Sequence, residues 1–205
     1  MIIALIGLLW IKDSRMDDFR LKKLIEETLH PKLPENSNYR QACVFLLIFE
    51  RLGHPFILAI QKTDTEGYPW RNQVALPGGH VDPNDKTPLD ACFRELEEEL
   101  CITPDQVTPT GSLGHFQTIQ NHNIEVFSGL WNDKGDVRHK TDEISRVLEI
   151  PISDLMTVHI NRQFHGYIPD VFQLQYPVLD VTIWGVTARI LHHFLEMIYI
   201  SRSEL

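Results

Sequence analysis

Apolar and polar positions along this chain follow two periods, and the change of period marks out its elements. Asp17 to Leu29 carries Phe19, Leu21, Leu24, Ile25 and Leu29 at helical spacing, which predicts an amphipathic helix. Pro31, Pro34 and Asn36 to Asn38 then read as a linker. Ala42 to Phe49 is an unbroken apolar run, the pattern of a buried strand. Pro55 to Gln61 reads as its neighbour, with Gly53-His54 as the turn of a hairpin. Thr63 to Trp70 is a polar loop, and Gln73 to Leu76 leads out of it. Leu113 to Gln120 and Asn123 to Trp131 predict a second strand pair, followed by a polar loop from Lys134 to Thr141. Phe172 to Pro177 reads as a short strand, and Asp180 as the cap of a long final helix running to about Ile198. Strands on both sides of a central helix, then a terminal helix, predict an α/β fold with a mixed sheet between helical layers.

The central helix carries the chemistry. Thr87 is placed to cap it, Pro88 suits its first position, and Asp90 lies three residues after the cap. At about 100° per residue, Leu89, Cys92, Phe93, Leu96 and Leu100 share an apolar arc. Glu95, Glu98 and Glu99 share the adjoining arc, and Glu97 points elsewhere. Carboxylates at this spacing repel one another, so a divalent cation that neutralises them explains their grouping. Oxygen donors of this kind suit Mg²⁺ or Mn²⁺. Arg94, one turn from Glu98, is placed to hold it. The Gly78-Gly79 turn upstream lets backbone approach a metal or ligand closely, because glycine has no Cβ. The competing reading is an ordinary solvated acidic face.

These residues resemble the Nudix box of the Nudix hydrolases, G-x5-E-x7-R-E-U-x-E-E-x-G-U with U a bulky aliphatic. Arg94-Glu95-Leu96-Glu97-Glu98-Glu99 keeps the core of that motif, and Ile102 its aliphatic end. The sequence departs from it in three places. The spacing from Gly79 to Arg94 is one residue longer, Asp85 stands for the first Glu, and Cys101 stands for the final Gly. The first two departures resemble the coenzyme A diphosphatase branch, whose P-G-G-x-x-D-x-x-D opening matches residues 77–85 here. Thr141 to Ile144 with Val147 to Ile152 resembles the acidic loop and late strand of that branch, and Ile183 to Leu191 the start of its C-terminal helix. Tyr68 and Asn72 stand where that subgroup carries an Arg and a Gly.

The resemblance implies a Nudix-type α/β/α sandwich over residues 38–200, preceded by an N-terminal apolar segment and helix over 1–37. It implies hydrolysis of a diphosphate linkage in a nucleoside diphosphate derivative, with water as nucleophile and Mg²⁺ or Mn²⁺ as cofactor. Glu95, Glu98, Glu99 and the Gly79 carbonyl are the metal ligands so implied. Arg94 orients the carboxylates, and the general base is Glu143 or a box glutamate. Gly78, Gly79, His80 and His115 are the candidates for touching substrate. Coenzyme A or a derivative leads the substrates, with ADP-ribose, NADH or oxidised nucleotides as alternatives. Two other readings share the fold: an isoprenoid diphosphate isomerase, which needs a reactive cysteine such as Cys43 facing an acid, and a non-catalytic nucleotide sensor.

Composition narrows the class. With 205 residues and 43% hydrophobic content, the chain can bury one sizeable core. A net charge of −9 and no basic run argue against a nucleic-acid binder. Three cysteines without metal spacing, Cys43, Cys92 and Cys101, fit reduced thiols in a cytoplasm. The apolar residues 1–10 are too few to span a bilayer and lack the flanks of a signal peptide, so no stable membrane insertion is expected. Met16 is an alternative start. The expected partner is a small nucleotide, and a homodimer is compatible with these features. His192-His193 on the final helix reads as packing or surface rather than as a metal site.

Overall fold

The structure, a computed structural model, describes residues 17–35, 38–67 and 70–203; the apolar residues 1–10, Met16 and Tyr68 lie outside them. A seven-stranded mixed sheet forms the middle layer. β1 (Arg40–Arg51) and β2 (His54–Lys62) form an antiparallel hairpin. Its turn is Leu52-Gly53, not Gly53-His54, because these two residues both take positive φ, 54° and 78°, as a two-residue hairpin of matching twist requires. β1 also pairs in parallel with β6 (His122–Trp131), which pairs antiparallel with β5 (Val107–Gln117) at one edge. On the far side of β2 lies β7 (Ile144–Pro151).

β1 and β2 pair only at their hairpin end. Where they part, β3 (Val74–Ala75) pairs with β2 and β4 (Gly78–His80) pairs with β1, so the chain around Pro77 fills the gap. This wedge depends on Gly78. Its φ is +142°, and a Cβ there would stand 2.2 Å from the Cys43 carbonyl oxygen and 2.7 Å from Val44 Cα. Backbone, not a mobile side chain, is in the way, so this position admits only glycine.

Helices cover both faces. α1 (Asp18–Glu27), α2 (Pro88–Leu100), α3 (Ile152–Asn161) and α4 (Gly185–Ser203) are the α-helices among the described residues. α2 buries Ala91, Cys92, Leu96 and Leu100 against Cys43, Phe45, Leu47 and Phe49 of β1. The alternate residues of β1, Leu46 and Ile48, face the other core, with α1, α3 and α4. The result is the expected α/β/α sandwich with a mixed sheet.

Four expectations are corrected. α1 is capped by Asp17, whose side chain accepts from Arg20 N–H, but it buries only Leu21 and Ile25; Phe19 is 76% and Leu29 93% exposed. The short strand β8 is Tyr176–Val178, since residues 170–174 are held in a turn by Asp170. Asp180 caps no helix, because it sits in the turn between β8 and β9 (Val181–Ile183), and α4 begins at Gly185. The late strand read as ending at Ile152 ends at Pro151, and Ile152 opens α3. No helix among the described residues is long and apolar enough to cross a membrane.

Candidate active site

The site is built on α2 and the β4 wedge beside it. Thr87 Oγ1 accepts from Asp90 N–H at 3.1 Å and donates to the Asp90 carboxylate at 2.8 Å, which fixes the helix start. The helix ends where Cys101 takes φ 56°, its N–H donating to the Glu97 carbonyl. Cys101 thus occupies the left-handed cap that glycine normally fills, so the loss of that glycine leaves the helix end in place.

Arg94 organises the carboxylates. Nε and Nη2 donate to the two Asp85 oxygens, each at 3.1 Å, and Nη2 also reaches the His80 carbonyl at 3.1 Å. Nη1 donates to Glu95 at 2.9 Å and lies 3.5 Å from Glu98. A guanidinium suits this because its planar fork holds several oxygens at once. The hydrogen bond from Arg94 holds Asp85 below the usual carboxylate range. Asp85, which stands for the first Glu of the motif, is therefore tied to Arg94 across a loop one residue longer.

The three glutamates occupy different settings. Glu99 is 4% exposed, with Oε1 on Lys62 Nζ at 2.8 Å and Oε2 accepting from Gly78 N–H at 2.9 Å. Burial raises its pKa, opposed by Lys62. Glu95 lies against Gly79, where a Cβ would stand 2.5 Å from its carboxyl carbon. Both glycines therefore bring backbone onto glutamate side chains, Gly78 by hydrogen bond and Gly79 by close contact. Glu98 is the open one, with 47% of its side chain exposed and Lys140 Nζ 3.8 Å away. Glu97 is exposed, as expected. An all-oxygen set on one stripe beside a glycine turn fits a hard divalent cation.

The remaining expected residues fall in different places. Glu143 is exposed, and its backbone is pinned: its carbonyl accepts from Thr63 N–H and its N–H donates to the Lys140 carbonyl. Lys140, in the same loop, faces Glu98, so this loop lies beside the open end of the carboxylate stripe. His115 pairs in register with Glu125, Glu125 with Cys43, and Cys43 with Gly79, which puts His115 on the α2 face of the sheet. Its Nδ1 accepts from the fully buried Asn123 amide at 3.1 Å, so Nε2 carries the ring proton. His80 pairs with Ala42, on the opposite face, and its ring lies 5.2 Å from that of His122. His80 reaches the site through its carbonyl. Asn72 takes φ 59°, the conformation a glycine would supply there. Cys43 is fully enclosed against Cys92, whose thiol is pushed up mainly by burial, so neither is a poised nucleophile.

Lys62, Lys140 and Glu125 were not read from the sequence as part of the site. Lys62 ends an otherwise apolar strand, and Glu125 alternates with Ile124 and Val126; both patterns were visible. That Lys62 and Glu125 reach the α2 side follows from sheet register, and that Lys140 reaches Glu98 follows from the path of its loop; no local pattern carries either.

Comparison with known proteins identifies the family. A family model of the NUDIX domain matches residues 39–168, more than half of the chain. The chain is 30% identical over 184 residues to the Nudix hydrolase NudL of Escherichia coli K12, covering 86% of this chain and 91% of that protein. It is 25% identical over 172 residues to NudL of Pectobacterium atrosepticum, covering 80% and 85%. Among solved structures, a MutT/nudix family protein from Enterococcus faecalis has a similar fold, with TM-score 0.50 at 17% identity, covering 93% of this chain and 71% of that one.

Proposed function

The chain belongs to the Nudix hydrolases, enzymes acting on nucleoside diphosphate derivatives, and within that family we propose a Mg²⁺- or Mn²⁺-dependent diphosphatase whose leading substrate is coenzyme A or a derivative. The observation that carries the reaction is the stripe of Glu95, Glu98 and Glu99 set against the Gly78-Gly79 backbone and tied through Arg94 to Asp85. The Asp85–Arg94 pairing on the lengthened loop supports the coenzyme A branch.

Glu95, Glu98, Glu99 and the Gly79 carbonyl would hold the cation, which when bound neutralises phosphate oxygens and lowers the pKa of the attacking water. Arg94 keeps Glu95 and Glu98 from repelling each other and fixes them to the loop. Lys62 compensates the buried charge of Glu99, and a bound cation would share that carboxylate with it. His115 Nε2–H, on the same sheet face, is a donor for a substrate oxygen. Glu143 or a box glutamate takes the proton of the water. The water oxygen bonds to one phosphorus, the bridging P–O bond breaks, and the other phosphate leaves. A nucleotide sensor without activity has no need of a complete carboxylate set, and this set is complete.

Glu98→Gln and Glu99→Gln each lower kcat by about 10²-fold or more at saturating Mg²⁺ while circular dichroism stays unchanged, since each removes a charge-stabilising group. Near wild-type turnover in both variants overturns the metal assignment. A substrate panel of coenzyme A, ADP-ribose, NADH, dinucleoside polyphosphates and oxidised dNTPs reads the specificity. Release of 3′,5′-ADP from coenzyme A supports the leading substrate. No release beside rapid cleavage of another member removes it.

A further inference from the structure

On the sheet face opposite α2, α3 and α4 bring together His159, His192 and Glu196, outside the carboxylate site. One nitrogen or carboxylate oxygen from each lies within 4.8 Å of the others. His159 is fully buried, His192 is 4% exposed, and the Glu196 side chain is 16% exposed. From the geometry of these three side chains we propose a second metal site, for a borderline transition-metal dication such as Zn²⁺.

The hydrogen bonds around the histidines carry the proposal. A metal-bound histidine uses one ring nitrogen for the ion and gives the other N–H to a fixed oxygen, which sets the tautomer and the ring direction. His192 is held in this way, and His159 reaches the same state when its ring proton moves from Nε2 to Nδ1. His192 Nε2–H donates to the Phe164 carbonyl at 3.1 Å; a carbonyl only accepts, so Nδ1 keeps its lone pair. His159 has Nδ1 on the Tyr176 hydroxyl at 2.9 Å and Nε2 toward Glu196 Oε1 at 2.7 Å. Metal binding places the ring proton on Nδ1, where the Tyr176 oxygen accepts it, and frees the Nε2 lone pair.

Glu196 is fixed as well. Its Oε2 accepts from Gly166 N–H at 2.9 Å, which leaves Oε1 for the cluster. His165 Nδ1 lies 3.0 Å from the same Oε1, and this half-exposed ring or a water is available as a fourth donor. Donor atoms on a tetrahedral zinc stand about 3.3 Å apart, given bonds of about 2.0–2.2 Å. The observed 2.7 Å between Nε2 and Oε1 opens by roughly half an ångström to admit it. Two imidazoles with one carboxylate suit zinc and its neighbours and do not suit Mg²⁺. The ion would tie α3, α4 and the 162–170 loop together, so its role is structural.

The test is equilibrium dialysis of the full chain against Zn²⁺ in excess Mg²⁺, with Co²⁺ as a spectroscopic probe of tetrahedral geometry. Wild type binds one equivalent and unfolds at higher temperature with it. Glu98→Gln, in the carboxylate site, binds zinc as wild type does. Glu196→Gln keeps the shape and an acceptor for Gly166 but binds at least tenfold more weakly. Tyr176→Phe keeps the buried ring, removes only the hydroxyl that sets the tautomer, and weakens binding by about 10–100-fold. Absence of stoichiometric zinc in wild type overturns the proposal. So does zinc that is lost with Glu98→Gln, or that Glu196→Gln and folded Tyr176→Phe both retain at wild-type affinity.

Discussion

At the scale of single residues, Glu143 and the box glutamates compete for one proton. Glu143 stands on a loop whose backbone is tied to Thr63 and Lys140, and its side chain is exposed on this loop, whose Lys140 faces Glu98. A loop carboxylate can turn to the water when substrate binds, so an outward resting position is compatible with the role of base. Glu143→Gln then lowers kcat while metal affinity stays nearly unchanged, because the residue acts only in the transition state. The pH–rate profile loses its acidic limb in the same variant. Retention of both rate and limb assigns proton removal to the box. Much at this scale was legible in the sequence: the Thr87 cap and the shared arc of Glu95, Glu98 and Glu99 from spacing, and Asp85 in the place of the first box Glu by resemblance; the pairing of Asp85 with Arg94 came from the structure. Burial was not. Glu99 reads as one more acid in a run of three, yet it is nearly enclosed, because α2 rolls that side against Lys62 and the Gly78 N–H. Glu98 and Glu99 therefore respond differently to substitution: Glu99→Gln strands a Lys62 whose side chain is only 14% exposed, whereas Glu98→Gln leaves no buried charge behind.

At the scale of elements, α1 and α4 are joined through a pair of histidines. His30 Nε2–H donates to the Ile25 carbonyl at 2.8 Å, so its Nδ1 accepts, at 2.9 Å, from His193 Nε2–H. The bond uses the lone pair of His30 Nδ1 and the Nε2–H of His193, whose ring is buried. Burial first, then the neighbouring His30 and His192, depress His193 from 6.5 to about 4, with only Glu196 opposing. Between those values the unfolded chain binds the proton and the folded chain does not. Stability is therefore full above about 6.5 and is lost as pH falls toward about 4. At about 1.4 kcal/mol per unit, the loss is on the order of 3 kcal/mol. His193→Gln keeps a donor for His30 without the titration, so its urea midpoint should fall less than that of wild type between neutral and acid pH. Equal slopes in the two proteins sink this assignment. Strands were the legible elements of the fold, since β1, β2 and β6 are long and apolar. α3 was not, because its N-cap Pro151 makes no side-chain cap bond, and it holds its shape by burying Ile152, Leu155, Met156 and His159. The start of α4 is not at Asp180 because a hairpin of two three-residue strands, β8–β9, intervenes and is too short to show a period.

At the scale of the whole molecule, the hydrolase unit is larger than the segment the family model matches. Residues 39–168 contain the carboxylate site, the whole main sheet and α2 and α3, but neither α1 nor α4. Yet Leu46, Ile48, Leu113 and Phe116 of the sheet share a core with Leu21 and Ile25 of α1 and with Leu191, Phe194 and Leu195 of α4. The linker after α1 is fitted to the sheet too. The Pro31 carbonyl accepts from His115 N–H at 2.8 Å and lies 2.4 Å from where a Cβ on Gly114 would stand. Burial of a large apolar side chain contributes about 1.5–3 kcal/mol, so Leu21 and Ile25 alone are worth on the order of 3–6 kcal/mol. That approaches the whole stability of a typical domain, about 5–15 kcal/mol, before α4 is counted. A fragment of residues 39–168 should therefore show no cooperative unfolding transition and bind hydrophobic dyes, although it holds every box residue. A fragment of residues 17–203 should unfold cooperatively and turn over substrate. If the shorter fragment melts sharply within a few degrees of the longer one, α1 and α4 are accessories, and the matched segment is itself the folding unit.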